Sequence, residues 1–463
     1  MKTGIVGAGI SGLATAQALL GRNPHAEVVV FESGRRSGGK VLTETTAGGY
    51  LCEWGVNAFL DKSPRTLELC SEIGLAPLSA DAAAKTRYVF SENELHKLPE
   101  KPPEFLFSKL LSFPGRMRVI AEVFSGRTRK PDETLEEFGT RHLGREAFQK
   151  LIDPMASGVF AGDATRMSLK SCFPRIHEVE SEYGSLIRGL IKLQKAAREE
   201  GKKETPGPGP GGLLTSFKGG MSVLTDTLAA ELGSRVRLNS AVESIEPSGE
   251  QYVLHMANGV SEEFDSVILA APAYAQSEIL REMAPGIAAD VEAIEYPSLA
   301  VVCMGYSKAR AGNCLDGFGF LVPSREKRNI LGTVADSNVF PDRAPDEHVL
   351  LRTMVGGARS SQLAELPDEQ LVDLVRSDLQ DILGLTTDPE FVSIYRHARA
   401  IPQYLVGHAD RLAAIESQLK AFPGLVMTGN AYRGVSLNDC VLNALKTAQS
   451  LTAPADSEKR ELS

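Results

Sequence analysis

The stretch "GAGISG" at residues 7–12 lies between "KTGIV" and "LATAQALL", and the fold turns on how it is read. A short β-prone run precedes the glycines and an alanine- and leucine-rich helix former begins near Ser11. That strand, turn and helix context is the one in which G-x-G-x-x-G holds a dinucleotide. Gly7 then permits the tight turn, Gly9 lets the backbone approach a pyrophosphate, Gly12 lets helix and strand pack closely, and the helix N-terminus faces the phosphates. The trio alone would serve equally well as a plain turn. Glu32 shifts the balance: it lies 20 residues past Gly12, at the end of a second β-run from Glu27 to Phe31, where a carboxylate can accept hydrogen bonds from ribose hydroxyls.

The rest of the chain bounds what such a fold could do. Its 463 residues, 43% hydrophobic and 24% charged, suit a globular protein of two or three domains. Fifty basic against 59 acidic side chains give a net charge of −9, a poor match to nucleic acid. Cys52, Cys70, Cys172, Cys303, Cys314 and Cys440 form no CxxC pair or His/Cys cluster. No metal site or disulfide framework is therefore expected, and a reducing, cytoplasmic compartment is. The first β-run starts at residue 3, so no cleaved leader is expected, and no apolar run reaches membrane-spanning length.

Along the chain, the opening βαβ unit predicts a parallel sheet. Proline-interrupted helical character from Thr86 to about Lys195 reads as an inserted α-helical domain (86–200). "EEGKKETPGPGPGGLL" (199–214) contains a flexible loop at 201–212. A turn and helix then lead into alternating β-runs. Further strands are expected at Ala300–Tyr306 and Val349–Val355, an amphipathic helix at Asp368–Leu383, and a closing strand, glycine turn and helix. The fold class expected is α/β: a Rossmann-like dinucleotide-binding domain assembled from 1–80, 215–285 and 410–455, with a mixed or antiparallel substrate-binding sheet in 286–409.

"ESGRRSGGKV" (32–41) places a second glycine pair behind Arg36. That arginine could set a charge against the pyrophosphate or be an exposed loop side chain. The run Glu32, Arg36, Gly38, Gly39 resembles the extended flavin signature of amine oxidases, phytoene desaturases and protoporphyrinogen oxidases. Six further segments resemble the protoporphyrinogen oxidase family in its own order: "GYLCEWGVNAFLD" (49–61), "SGVFAGD" (157–163), "SFKGGM" (216–221), "DGFGFLVP" (316–323), "IPQYLVGH" (401–408) and "GNAYRGVSLNDC" (429–440). The resemblance covers almost the whole chain. It implies FAD contacts from Gly7, Ala8, Gly9, Ile10, Ser11 and Gly12, from Glu32, Ser33, Arg36, Gly38, Gly39 and Lys40, and from Gly55, Val56, Asn57 and Ala58. Val242, Gly434, Val435, Ser436 and Leu437 complete the set. Val242 lies in a strand that would pass under the adenine, and "GVSL" would bring a helix N-terminus toward the isoalloxazine. The chain departs from the family at Val56, where proline is usual, and at His397, where several bacterial members carry an aromatic residue; a lone histidine there reads as structural or as a flavin neighbour.

On the substrate side the resemblance implies protoporphyrinogen IX, oxidised in two-electron steps with molecular oxygen as acceptor and peroxide as product. Arg87 would bind a propionate, with Gly158, Phe318, Leu321 and Met354 lining the pocket. No Ser/His/Asp set or paired acids present themselves, and no catalytic acid or base is assigned. Residues 85–130 carry ten Lys/Arg against five Glu. Within them, "PEFLFSKLLSFPGRMRVIAEVF" (103–124) reads as two amphipathic helices broken at Pro114-Gly115, displaying Phe105, Leu106, Leu110, Leu111, Phe113, Met117, Ile120 and Phe124 either to an anionic leaflet or to their own domain. A peripheral place on the cytoplasmic membrane face follows from the first reading, and a homodimer stays open. Three rivals keep the same fold: a coproporphyrinogen III oxidase, a flavin amine oxidase and a flavin-free lipid carrier.

Overall fold

The structure is a computed structural model that describes residues 1–99, 108–128, 130–199, 212–312 and 314–452. β1 (Lys2–Val6), α1 (Ile10–Arg22) and β2 (Glu27–Phe31) form the opening unit. β1 runs parallel to β2, Lys2 opposite Glu27, and on its other side to Ser266–Leu269, Thr3 opposite Ser266. Val236–Arg237 and Leu425–Met427 extend the sheet to five parallel strands, in the spatial order third, second, first, fourth, fifth along the chain. The order reverses beside β1, and a doubly wound sheet takes its ligand at the strand C-termini beside that switch point.

Two glycines fix the crossing of β1 and α1. A Cβ on Gly12 would stand 1.9 Å from the Gly7 carbonyl oxygen, so no larger residue allows this approach. Gly7 has φ +107°, and its Cβ would meet the Ala271 nitrogen at 2.8 Å. α1, Ser222–Leu232 and Leu437–Thr452 cover one face of the sheet, burying Ile5, Leu13, Leu224 and Val441. The other face carries an antiparallel meander (Val242–Ser248, Gln251–Met256, Ser261–Phe264) packed through Val6, Leu254 and Phe264.

A second, seven-stranded sheet has the order Phe391–His397, Leu299–Ser307, His348–Gly356, Ile330–Ala335, Gly319–Leu321, Arg87–Ser91, Glu94–Lys97. It is antiparallel except where Gly319–Leu321 runs parallel to Arg87–Ser91. Asp368–Leu383 covers one face through Leu371, Val375 and Leu379. The last two strands correct the expected helical start of the insertion at residue 86. Glu92 and Asn93 adopt φ of 56° and 62°, closing a two-residue turn that delivers the hairpin to the sheet edge.

The insertion is otherwise helical, with one further correction. Pro114-Gly115 does not break a helix but opens one: Phe113–Ile120 carries the proline in its first turn, and the Ser112 hydroxyl accepts from the Gly115 N–H at 3.1 Å. A tight turn, Ala121–Phe124, follows. Leu110 and Leu111, read as facing either a leaflet or their own domain, are buried. Phe105, Leu106 and residues 201–211 lie outside the described residues.

The helices of the insertion converge on buried Glu122. Its carboxylate accepts from the Ser185 hydroxyl at 2.8 Å and from the Leu186 and Ile187 N–H groups at 2.7 and 3.0 Å, and it faces His142 Nδ1 at 2.7 Å. Glu180 meets the other ring nitrogen of His142 at 3.3 Å. Burial alone would lower the His142 pKa, but the hydrogen bonds to Glu122 and Glu180 outweigh it and raise it.

Candidate flavin and substrate site

Where the parallel sheet reverses order, a cleft of about 420 Å³ runs from Val242, Ser240, Glu32 and Ser33 at one end, past Gly7, Gly9, Ile10 and Ser11, to Val56, Asn430 and Val435 at the other. Gly38, Gly39, Lys40 and Leu437 also line it. Gly9 is the informative glycine here: a Cβ built on it would meet nothing within 4 Å, so its backbone borders open space that a ligand can enter. At the end of β2, Glu32 Oε2 accepts from the Ala8 N–H at 3.0 Å and Oε1 from the Gly34 N–H at 2.8 Å. The carboxylate is thereby fixed at the strand C-terminus, at the cleft wall, where a ribose would present its hydroxyls.

Several other residues named from the sequence support the cleft from behind. Ala8 is buried and supplies the N–H to Glu32; Gly12 forms the helix crossing. The Arg36 guanidinium donates to the Ser37 carbonyl at 2.9 Å, to Gly39 at 2.6 Å and to Val41 at 3.3 Å. It thus braces the Gly38-Gly39 turn with its own backbone, in place of pointing a free charge at the cleft. Gly434 shapes the turn before the final helix. Ser436 caps that helix reciprocally with Asp439: the Ser436 hydroxyl accepts from the Asp439 N–H at 3.2 Å, and Asp439 accepts from the Ser436 N–H at 3.1 Å. The Ser436 N–H is therefore committed within the cap, and Val435 and Leu437 are the members of "GVSL" that line the cleft. Ala58 packs against the buried cluster of Ala84, Val334, Val339 and Phe340, as do Phe318 and Met354.

A second cavity of about 320 Å³ adjoins the first and shares Lys40, Val56, Asn430 and Val435 with it. Its walls are largely apolar: Phe318, Leu321 and Met354 from the mixed sheet, Gly158 from the insertion, and Trp54 with Gly55 and Asn57 from the loop before Phe59. Four of the five residues expected to contact substrate thus come together. The fifth, Arg87, is exposed, and its guanidinium stands 5.3 Å over the Phe318 ring, at the edge of the cavity.

Three basic side chains line this cavity, and no carboxylate does so among the described residues. Lys40 donates to the Arg399 carbonyl at 2.6 Å and to the Ala400 carbonyl, and burial pulls its pKa down to about 8. Arg352 is 4% exposed and donates through Nε to Asp336 at 2.8 Å, while its Nη1 lies 3.9 Å from the Met354 sulfur. His397 faces the Trp54 carbonyl through Nε2 at 2.8 Å. The sequence reading missed Arg352, although a lone arginine inside the apolar run "HVLLRTMVG" (348–356) was its visible signal. It also missed Trp54, and Ala270, Ala271 and Pro272 at the C-terminal end of Ser266–Leu269, which complete the cleft wall. That last position follows from the switch-point rule once the strand order is known.

A backbone-lined cleft with a fixed acid at the β2 terminus fits a dinucleotide such as FAD. Comparison with known proteins points the same way. The family described as flavin containing amine oxidoreductase matches residues 10–452. The chloroplastic protoporphyrinogen oxidase of Oryza sativa subsp. japonica is 35% identical, covering 97% of this chain and 87% of its own. The coproporphyrinogen III oxidase of Bacillus subtilis (strain 168) is 30% identical, over 94% and 95%. A crystal structure from Exiguobacterium sp. 255-15, provisionally assigned as a protoporphyrinogen oxidase, superposes with a TM-score of 0.82 at 28% identity over 97% of this chain and 98% of that one. The chain belongs to the flavin containing amine oxidoreductase family, and FAD is its cofactor.

Proposed function

We propose that this chain oxidises protoporphyrinogen IX to protoporphyrin IX in porphyrin biosynthesis, with molecular oxygen as the final acceptor and hydrogen peroxide as the product. The observation that carries the reading is the junction of the two cavities: an apolar slot meets the end of the dinucleotide cleft across Lys40, Val56, Asn430 and Val435. When bound, FAD supplies a two-electron acceptor that oxygen can regenerate. The chain's own task is orientation. Phe318, Leu321 and Met354 offer the flat apolar walls a macrocycle needs, and they exclude water from the reacting face. Arg87 over Phe318 places a planar guanidinium where a propionate would emerge, and its fork suits a carboxylate bidentately.

A second reading, coproporphyrinogen III as substrate, is favoured by Arg352. It gives the cavity a buried cation beyond Arg87, which suits a macrocycle with more carboxylates. Aerobic incubation with each porphyrinogen separates the two. Faster growth of porphyrin fluorescence with protoporphyrinogen supports the first reading, and equal or faster growth with coproporphyrinogen overturns it.

We also infer that the insertion rests on an anionic membrane surface. Phe113, Phe124 and Ile191 are 68%, 87% and 60% exposed, beside Arg116, Arg118, Arg127 and Lys192. Apolar tips within a basic surround suit a lipid interface. No described helix is long and apolar enough to cross a membrane.

A further inference from the structure

We propose that His397 is the proton acceptor for porphyrinogen oxidation in the apolar cavity. The inference rests on the proposed porphyrinogen reading and adds to it the group that takes the proton.

The chemistry sets the need. In each two-electron oxidation a meso C–H bond would break, and FAD held in the cleft would supply the acceptor for its electron pair, taken as hydride. A pyrrole N–H bond also breaks, its electron pair enters the new conjugated system, and a proton must go elsewhere. In a slot walled by Phe318, Leu321, Leu331 and Met354, bulk water is a poor recipient, so a base in the wall is favoured.

Among the described residues, the titratable groups lining the slot are Lys40, Arg352 and His397. Arg352 stays ionised at any working pH. Lys40 is held as a donor by the Arg399 and Ala400 carbonyls. His397 alone is set up to accept. Its Nε2 lies 2.8 Å from the Trp54 carbonyl oxygen. A carbonyl only accepts, so Nε2 carries the hydrogen and Nδ1 the lone pair. Nδ1 has no hydrogen-bond partner among the described residues.

The surroundings keep the ring neutral until a proton arrives. Burial lowers its pKa, the Trp54 hydrogen bond opposes that, and the positive charges of Lys40 and Arg36 lower it further. These cations face it from the loop after β2. Its own strand adds the Tyr395 ring at 4.8 Å, and the neighbouring strand places Leu299 opposite it. Among the described residues no carboxylate acts on it.

The test mixes FAD-loaded protein anaerobically with protoporphyrinogen and follows bleaching of the flavin across pH, for the natural chain, His397→Gln and His397→Gly. Glutamine can keep an N–H toward Trp54 but cannot take the proton. The proposal expects natural-chain bleaching to fall at acid pH along a single-proton limb. His397→Gln should slow it on the order of 100-fold and remove that limb, with FAD content unchanged. Added imidazole should restore His397→Gly. A ¹⁵N-histidine NMR spectrum supplies a readout free of turnover, and should show one ring, lost in His397→Gln, as the neutral Nε2–H form at neutral pH. Bleaching of His397→Gln within about 3-fold of the natural chain, with the limb intact, would overturn the proposal. If the natural chain is not bleached by porphyrinogen at all, the porphyrinogen reading fails and this inference falls with it.

Discussion

The two halves of the site are built from different material. The dinucleotide cleft is walled by backbone and small residues, and its geometry depends on what is missing: no Cβ at Gly12 against the Gly7 carbonyl, and none at Gly9 where open space begins. The adjoining apolar cavity is walled by side chains, with Leu321 and Met354 on strands of the mixed sheet, Phe318 just before one, and Arg352 held by Asp336. An added methyl therefore damages the cleft, whereas the cavity changes its ligand one side chain at a time. This division predicts that cofactor retention and substrate affinity can be altered separately.

The largest expected effect is Gly12→Val. Its Cβ would lie 1.9 Å from the Gly7 oxygen, so α1 must move off β1. We expect destabilisation of about 3 kcal/mol or more and protein purified without flavin absorbance. A yellow Gly12→Val protein with an unchanged melting temperature would mean that the cleft tolerates side chains after all.

Next comes Asp336→Leu, which leaves Arg352 charged, buried and unpaired. Breaking such a pair costs about 3–5 kcal/mol, read by denaturant unfolding. The double substitution Asp336→Leu with Arg352→Met should recover most of the loss. If the single and double variants unfold alike, the ion pair does not hold this wall.

Arg87→Ala sharpens the division from the substrate side. The exposed guanidinium is predicted to contribute about one charge-assisted hydrogen bond, so KM should rise about tenfold while FAD content stays unchanged. Loss of flavin would place Arg87 in the wrong half.

The smallest expected effect is on pH, and it has opposite signs at two histidines. Burial pulls the His142 pKa down, but the hydrogen bonds to Glu122 and Glu180 outweigh it and hold the pKa above the ordinary 6.5. Its contribution to stability is full below that value and fades as pH rises through the raised folded-state pKa. The His397 pKa is lowered, first by burial, so its contribution is full above 6.5 and fades as pH falls. Denaturant unfolding between about pH 5.5 and 8.5 should lose its downward slope at high pH in His142→Gln. It should lose its downward slope at low pH in His397→Gln. Unaltered slopes would contradict the assigned neighbours.

What the sequence revealed follows the same division. β2 and the helix Asp368–Leu383 fall where the pattern placed them, because a local period or a glycine turn specifies each. The hairpin Arg87–Lys97 was hidden because its turn residues, Glu92 and Asn93, do not announce a two-residue turn as Asn-Gly would. Arg352 stood out as a lone arginine in an apolar run, but the run did not say which face it serves. His348–Gly356 is buried along most of its length, so alternation cannot say which face meets the cavity. For Arg36 the sequence showed a charge beside the glycine pair, but only the folded loop shows the guanidinium returning to its own carbonyls.

The most direct test of the central claim, that cleft and cavity form one continuous site, is a crystal structure of the FAD-loaded chain soaked with protoporphyrin. The flavin ring should lie at the Val56 and Val435 end of the cleft and the macrocycle between Phe318, Leu321 and Met354, with a propionate toward Arg87. A porphyrin bound elsewhere, or a flavin ring turned away from the shared wall at Lys40 and Asn430, would contradict it.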